Sequence, residues 1–176
     1  MSFVINNQNQ ITLDDNTLSL TARERRFLDK SWAKPFADNI FPKIEEKAFA
    51  ILYSDKASSR PNTSVNITVG ALILKELLGL TDDEIMETLM FDARFQYALH
   101  TTSFKEQPLS DRTLSRFRER CLKHEAETGE DLIKGCITGL AGEIAKLMNI
   151  NSDLKRMDSM MVASNIKRLS RLELLY

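Results

Sequence analysis

Cysteine, histidine and one-sided charge are all scarce in this sequence, and each scarcity removes a class of function. Two cysteines and two histidines among 176 residues leave no disulfide framework. They leave no zinc-type ligand set either, since neither Cys-x-x-Cys nor His-x3-His occurs. Cys121 and Cys136 each fall at an apolar position of an expected helix and read as small core residues in a reducing compartment. No long hydrophobic run exists: the longest, Val69 to Leu74, is far short of a membrane span. The start, Met1-Ser2-Phe3-Val4-Ile5-Asn6-Asn7, lacks a basic stretch followed by an apolar core, so no signal peptide is expected. Lys and Arg number 24 against 25 Asp and Glu, and the net charge of −1 argues against a globally basic nucleic-acid coat. What remains is a cytoplasmic chain long enough for one ordinary domain, or a domain with appendages.

The charge that is present is unevenly placed. Residues 1–100 carry 11 Lys and Arg against 14 Asp and Glu, whereas residues 101–176 carry 13 against 11. Its densest point is Pro108-Leu109-Ser110-Asp111-Arg112-Thr113-Leu114-Ser115-Arg116-Phe117-Arg118-Glu119-Arg120-Cys121-Leu122-Lys123. Pro108 breaks whatever precedes it, Ser110 suits an N-cap, and Asp111 lies in the first turn, where the helix dipole favours an acid. At about 100° per residue, Leu114, Phe117 and Cys121 share an apolar face. Arg112, Arg116, Arg120 and Lys123 fall together on another. A helix with one face for a core and one for cations suits a phosphate backbone or a base edge in a groove. The plainer alternative is a solvated helix laced with pairs such as Glu119–Lys123.

Around this helix the pattern predicts an all-α, multi-helix bundle. Residues 1–20 are polar and rich in Asn and Gln, a poorly ordered lead-in with a short strand at Phe3–Ile5. Thr21-Ala22-Arg23-Glu24 is a capping box opening a helix to about Trp32. Lys34-Pro35 and Phe41-Pro42 bracket short elements. The spacing Ile44, Ala48, Ile51, Leu52 predicts a helix to about Tyr53, and 54–63 is turn chemistry. Val65 to Leu78 is apolar on nearly every side and belongs at the centre of the core, with Gly79 ending it in a left-handed conformation. Thr81-Asp82-Asp83-Glu84, a second capping box, opens a helix running to His100, with Phe91, Phe95 and Tyr97 in the core and His100 as a C-terminal dipole partner. Asp131 to Met148 is amphipathic through Leu132, Cys136, Leu140, Ile144 and Leu147. Gly135, Gly139 and Gly142 within it each cost about 1 kcal/mol relative to Ala. Close approach by another helix, in this chain or a second copy, would explain them; plain tolerance is the alternative. The helices 81–100 and 110–125 resemble a helix-turn-helix, although the connection is longer than the tight motif uses.

The last stretch changes style. Arg156-Met157-Asp158-Ser159 with Ser164-Asn165-Ile166 resembles the start of the catalytic domain of bacterial insertion-sequence transposases of the DDE class. The portion before it is similar to their InsH-type N-terminal domain. Ser54-Asp55-Lys56-Ala57-Ser58, Val69-Gly70-Ala71-Leu72-Ile73-Leu74-Lys75, Phe95-Gln96-Tyr97-Ala98-Leu99 and Leu109 through Arg118 carry that likeness, which covers about residues 20 to 176. The resemblance implies three regions: a flexible lead-in (1–20), a helical DNA-binding domain (21–150), and the start of an RNase H-like catalytic domain (151–176) as a stray strand or helix. It implies that Asp158 is the first of three carboxylates holding two Mg²⁺ about 3.5–4 Å apart. Relatives often carry Thr where this chain has Met160, which leaves the ligand itself unaffected.

With Tyr176 about eighteen residues past Asp158, the second and third acids are not in the sequence. The chain alone is therefore expected neither to cut nor to join DNA and to bind no Mg²⁺ by itself. The resemblance implies recognition of transposon terminal inverted repeats through Arg112, Arg116, Arg120 and Lys123, with Lys167, Arg168 and Arg171 assisting. A competing reading is a protein-interaction module, dimerising or inhibitory, whose cationic face is merely solvated. A self-contained enzyme finds no support: Ser110 and Ser115 have no nearby His, and no Gly-rich phosphate loop is present.

Overall fold

A computed structural model describes residues 1–6, 15–54, 60–103 and 105–150. It is an all-α, multi-helix bundle, with no strand among the described residues. Its helices are α1 (Ala22–Asp29), α2 (Ala33–Pro35), α3 (Val65–Leu78), α4 (Asp82–Phe91), α5 (Ala93–Ala98), α6 (Asp111–Thr128) and α7 (Leu132–Leu147). A π-helical turn, Phe36–Ile40, and 3-10 segments at Asn16–Ser19, Phe41–Lys43 and Glu46–Leu52 fill the intervals.

The centre is α3, as its composition predicts. Val65, Ile67, Val69, Ala71, Ile73 and Leu74 are all buried, and Gly79 closes the helix at φ +67. Gly70 sits at the tightest point: a Cβ built there would lie 2.6 Å from Leu99 Cδ2 and 3.3 Å from Phe41 Cδ2. The polar groups of its first turn are satisfied within the core. Thr68 Oγ1 donates to the Ser64 carbonyl at 2.9 Å, and Asn66 Oδ1 accepts from the Ile67 amide at 2.8 Å and from Asn6 Nδ2 at 3.0 Å.

Both capping boxes form, Thr21 with Glu24 and Thr81 with Glu84. The single helix expected over 81–100 does not. Asp92 leaves helical geometry at φ −104, ψ 110, ending α4 and capping α5 through a 2.8 Å bond from the Arg94 amide. Gln96 Nε2 then donates back to the Leu89 and Met90 carbonyls at 2.9 and 3.1 Å, filling acceptors that the break left open. The break also turns Phe91 outward to 82% exposure, while Phe95 is buried and Tyr97 half-buried. His100 does follow the C-cap of α5, but its surroundings disfavour the charged form that a dipole partner needs. It sits at φ +54 with its ring 4.7 Å from Phe41, and burial lowers its pKa against the opposing pull of the Ala37 backbone.

The helix expected after Lys43 is a 3-10 segment, and its buried face differs accordingly. With three residues per turn, Glu46, Phe49 and Leu52 line up. Phe49 is fully buried, whereas Ala48 and Ile51 face out. The lead-in also has structure where it is described. Instead of a strand at Phe3–Ile5, Ser2 pairs with the chain on either side of the 54–61 interval. The Ser2 amide donates to the Arg60 carbonyl and the Asn62 amide to the Ser2 carbonyl, both at 3.0 Å.

Helices α6 and α7 complete the bundle. Leu114, Phe117 and Cys121 of α6 are buried as predicted, joined by His124, and Gly129 ends the helix at φ +77. Asp131 caps α7 through the Lys134 amide at 2.9 Å, and Leu132 and Leu140 enter the core. Both cysteines are free, and burial pushes the Cys121 thiol up to about 12 and raises that of Cys136. Cys121 belongs to the core and Cys136 packs half-buried against it, and a thiol kept protonated is a poor nucleophile.

Candidate nucleic-acid interface

The face of α6 opposite Leu114, Phe117 and Cys121 carries the predicted cations, and the structure sorts them into different situations. Arg112 and Arg116, one turn apart, are exposed and have no hydrogen-bond or ion-pair partner among the described residues. Arg120 is half-buried: its guanidinium lies 5.1 Å from the Tyr53 ring centroid and donates to Met1 Sδ at 3.6 Å. Lys123 is exposed, 3.9 Å from a Glu127 carboxylate. That distance and exposure make a pair worth little in water. The Glu119–Lys123 pair of the alternative reading does not form; Glu127 stands beside Lys123 instead, while Arg112 and Arg116 have no ion-pair partner among the described residues.

Arg118 belongs to a different site. Its guanidinium grips the Asp82 carboxylate with both nitrogens, one bond measuring 3.0 Å. Lys75 Nζ reaches the same carboxylate at 3.0 Å, so a single acid joins α3, α4 and α6. The two cations hold the Asp82 carboxyl well down, at about 2. Sequence pattern alone explains Asp82 as a first-turn acid and leaves Arg118 without a role. The signal that could have found the site was Lys75 and Asp82 flanking the Gly79 turn, with Arg118 lying off the stripe formed by Arg112, Arg116 and Arg120.

The support behind Arg120 is the N-terminal segment. Phe3 packs on Tyr53 with ring centroids 5.8 Å apart, and Met1 contributes its carbonyl to the Ser54 amide at 2.9 Å. Tyr53 is thus fixed between Phe3 and Arg120, its pKa raised by burial with Arg120 pulling the other way. Fixing one guanidinium on an aromatic face is worth about 0.5–1 kcal/mol at a partly exposed site. It also restricts the range of contacts Arg120 makes outward.

Other candidate chemistry is sparse. An open groove of about 340 Å³ runs beside α7, lined among others by Lys43, Glu45, Ala48, Asp131, Gly135 and Gly139. Its charged lining residues are of both signs. Gly135, Gly139 and Gly142 have nothing within 4 Å of a built Cβ among the described residues, so close approach by another of the described helices does not explain them. Among the described residues no group of three or more His, Cys, Asp or Glu could hold a metal ion. Asp158, Lys167, Arg168 and Arg171 lie outside the described residues. No described helix is long and apolar enough to cross a membrane.

A family model described as transposase domain (DUF772) matches residues 26–120, more than half of the chain and all of α6 through Arg120. No curated protein and no solved structure matches the chain.

Proposed function

The chain belongs to the transposase domain (DUF772) family, and from that premise we propose that it is the DNA-binding part of an insertion-sequence transposase. It recognises the terminal inverted repeats of its element through α6. The observation that carries this reading is the pair Arg112 and Arg116 in the matched segment, exposed and without a partner among the described residues, while neighbouring Arg118 is consumed by Asp82. Two arginines one turn apart present two planar forks along one helix face, a geometry suited to successive phosphates or a guanine edge. Arg120 and Lys123 extend the contact toward the C-terminal half of the helix. Lys167, Arg168 and Arg171 add sequence-independent phosphate contacts.

Fluorescence anisotropy on a duplex carrying the inverted repeat, against a scrambled duplex of equal length, tests the assignment. Arg116→Gln should weaken the specific duplex by about 1–3 kcal/mol if it reads a base. If it meets only phosphate, both duplexes should weaken equally. Wild-type affinity for both would reject α6 as the interface. Asp158 is assigned by resemblance to Mg²⁺ and not to DNA contact, so Asp158→Asn should leave duplex affinity in metal-free buffer unchanged.

The open glycine face of α7 favours a second reading, a dimerisation module that meets another copy of the chain there. Light scattering across a concentration series separates the two. A tight dimer indifferent to DNA would support the second and displace the first.

A further inference from the structure

We propose that α1 carries a second nucleic-acid contact, which stacks an unpaired base on Phe27 and holds the flanking phosphates with Arg23, Arg26 and Lys30. It rests on the reading of α6 only in taking the chain to handle nucleic acid; its residues and its ligand are different. At 100° per residue these four side chains fall within about 100° of the helix circumference. Leu28, the one residue of α1 that is buried, lies on the other side.

Three features single out this face. Phe27 is 63% exposed and the helix carries no other apolar residue on that side, so packing among the described residues gives it no role. The Arg23 guanidinium stands 5.9 Å from its ring centroid, which joins a cation to the aromatic surface. Arg26 and Lys30 have no side-chain partner among the described residues. Of the acids on α1, Glu24 is engaged by the Thr21 amide and hydroxyl at 2.8 and 2.7 Å, and the exposed Asp29 makes no ion pair with Arg26 or Lys30 among the described residues. Arg25 is likewise occupied, by the Thr17 carbonyl at 2.9 Å.

The other exposed aromatic among the described residues makes the contrast. Phe91 is more exposed still, but the nearby Arg94 is locked in a chelate with Asp92. Only α1, among the described helices, sets an open ring beside unoccupied cations. Aromatic rings flanked by cations are how proteins hold single strands, each base giving a π-face and each linkage a charge. Duplex DNA offers no free base face to such a ring, since its bases are already stacked. An unpaired strand therefore fits better than a groove.

The test uses the full chain with oligo(dT) and with a blunt duplex of equal length. Phe27→Leu keeps an apolar side chain and removes the aromatic face; oligo(dT) affinity should fall about tenfold, while Phe27→Trp should retain it and show quenched emission on binding. Arg26→Gln with Lys30→Gln should reduce the slope of log affinity against log salt by about 0.7 per cation. Arg112→Gln with Arg116→Gln should spare oligo(dT), so loss of duplex binding alone reports on α6 and not on α1. No measurable oligo(dT) binding, or binding indifferent to Phe27→Leu, would overturn the proposal. So would polyglutamate competing as well as oligo(dT) irrespective of Phe27, which would put an acidic protein on this face.

Discussion

Asp82 is the residue on which the arrangement of helices around α6 turns. Its carboxylate takes Lys75 and Arg118 together, and those contacts depress its pKa to about 2 from 3.8. A depressed carboxyl contributes stability that is complete above its ordinary pKa and is lost as pH falls through the folded value, here between about pH 4 and 2. Because the group is about a third exposed, solvent screening reduces the contribution to about 1 kcal/mol. Asp82→Asn should therefore lower unfolding free energy at neutral pH by roughly that amount and flatten the pH dependence over the same window, read by urea titration. Glu46 works with the opposite sign: burial raises its pKa in spite of backbone amides at Asn6, Asn66 and Val65. Its protonation on acidification relieves a cost, so Glu46→Gln should make the loss of stability on acidification steeper from its start.

Glycine shows how far a residue's role depends on surroundings that the sequence does not display. Gly70, Gly135 and Gly139 are all helical, and from sequence only the last two invite a packing explanation. The structure reverses this, crowding Gly70 against Leu99 and Phe41 and leaving the others open. Gly70→Ala should destabilise by about 1–2 kcal/mol, overpacking outweighing the gain in helix propensity. Gly139→Ala should stabilise the monomer by about 0.5–1 kcal/mol. Thermal unfolding of the two variants checks both signs, and a Gly139→Ala variant that instead lost stability with dilution would point to a second copy on α7.

At the scale of elements, what was legible in the sequence was whatever local chemistry alone dictates. The Thr21 and Thr81 capping boxes, the apolar run of α3, its left-handed Gly79 and the Leu114, Phe117, Cys121 face of α6 all depend on residues within a turn or two. Sequence pattern and structure part where a tertiary interaction decides. The break at Asp92 is offset by Gln96 reaching the carbonyls of α4, a link between elements that periodicity does not reveal. Gln96→Leu should accordingly cost about 1–3 kcal/mol by leaving the buried Leu89 carbonyl and the part-buried Met90 carbonyl without this donor, measurable by denaturant unfolding. The 3-10 segment buries Phe49 instead of Ile51 because the choice between three and 3.6 residues per turn is made by the α3 and α6 surfaces it packs against.

At the scale of the molecule, the N-terminal segment pairs with Ser54 and with Arg60 to Asn62, Tyr53 supports Arg120, and Asp82 anchors Arg118. These interactions hold α6 on a rigid base with Arg112 and Arg116 facing outward. Four cations on a stripe are visible in the sequence; which of them are free depends on Tyr53, Met1 and Glu127, which lie outside the stripe. The decisive measurement is the salt dependence of affinity for inverted-repeat duplex, compared between wild type and Arg112→Gln/Arg116→Gln. If both arginines meet phosphates, the slope of log affinity against log salt should shrink by about 1.8, or 0.9 for each phosphate no longer neutralised. An unchanged slope and affinity in a folded double variant would contradict the assignment of α6 as the DNA-facing helix.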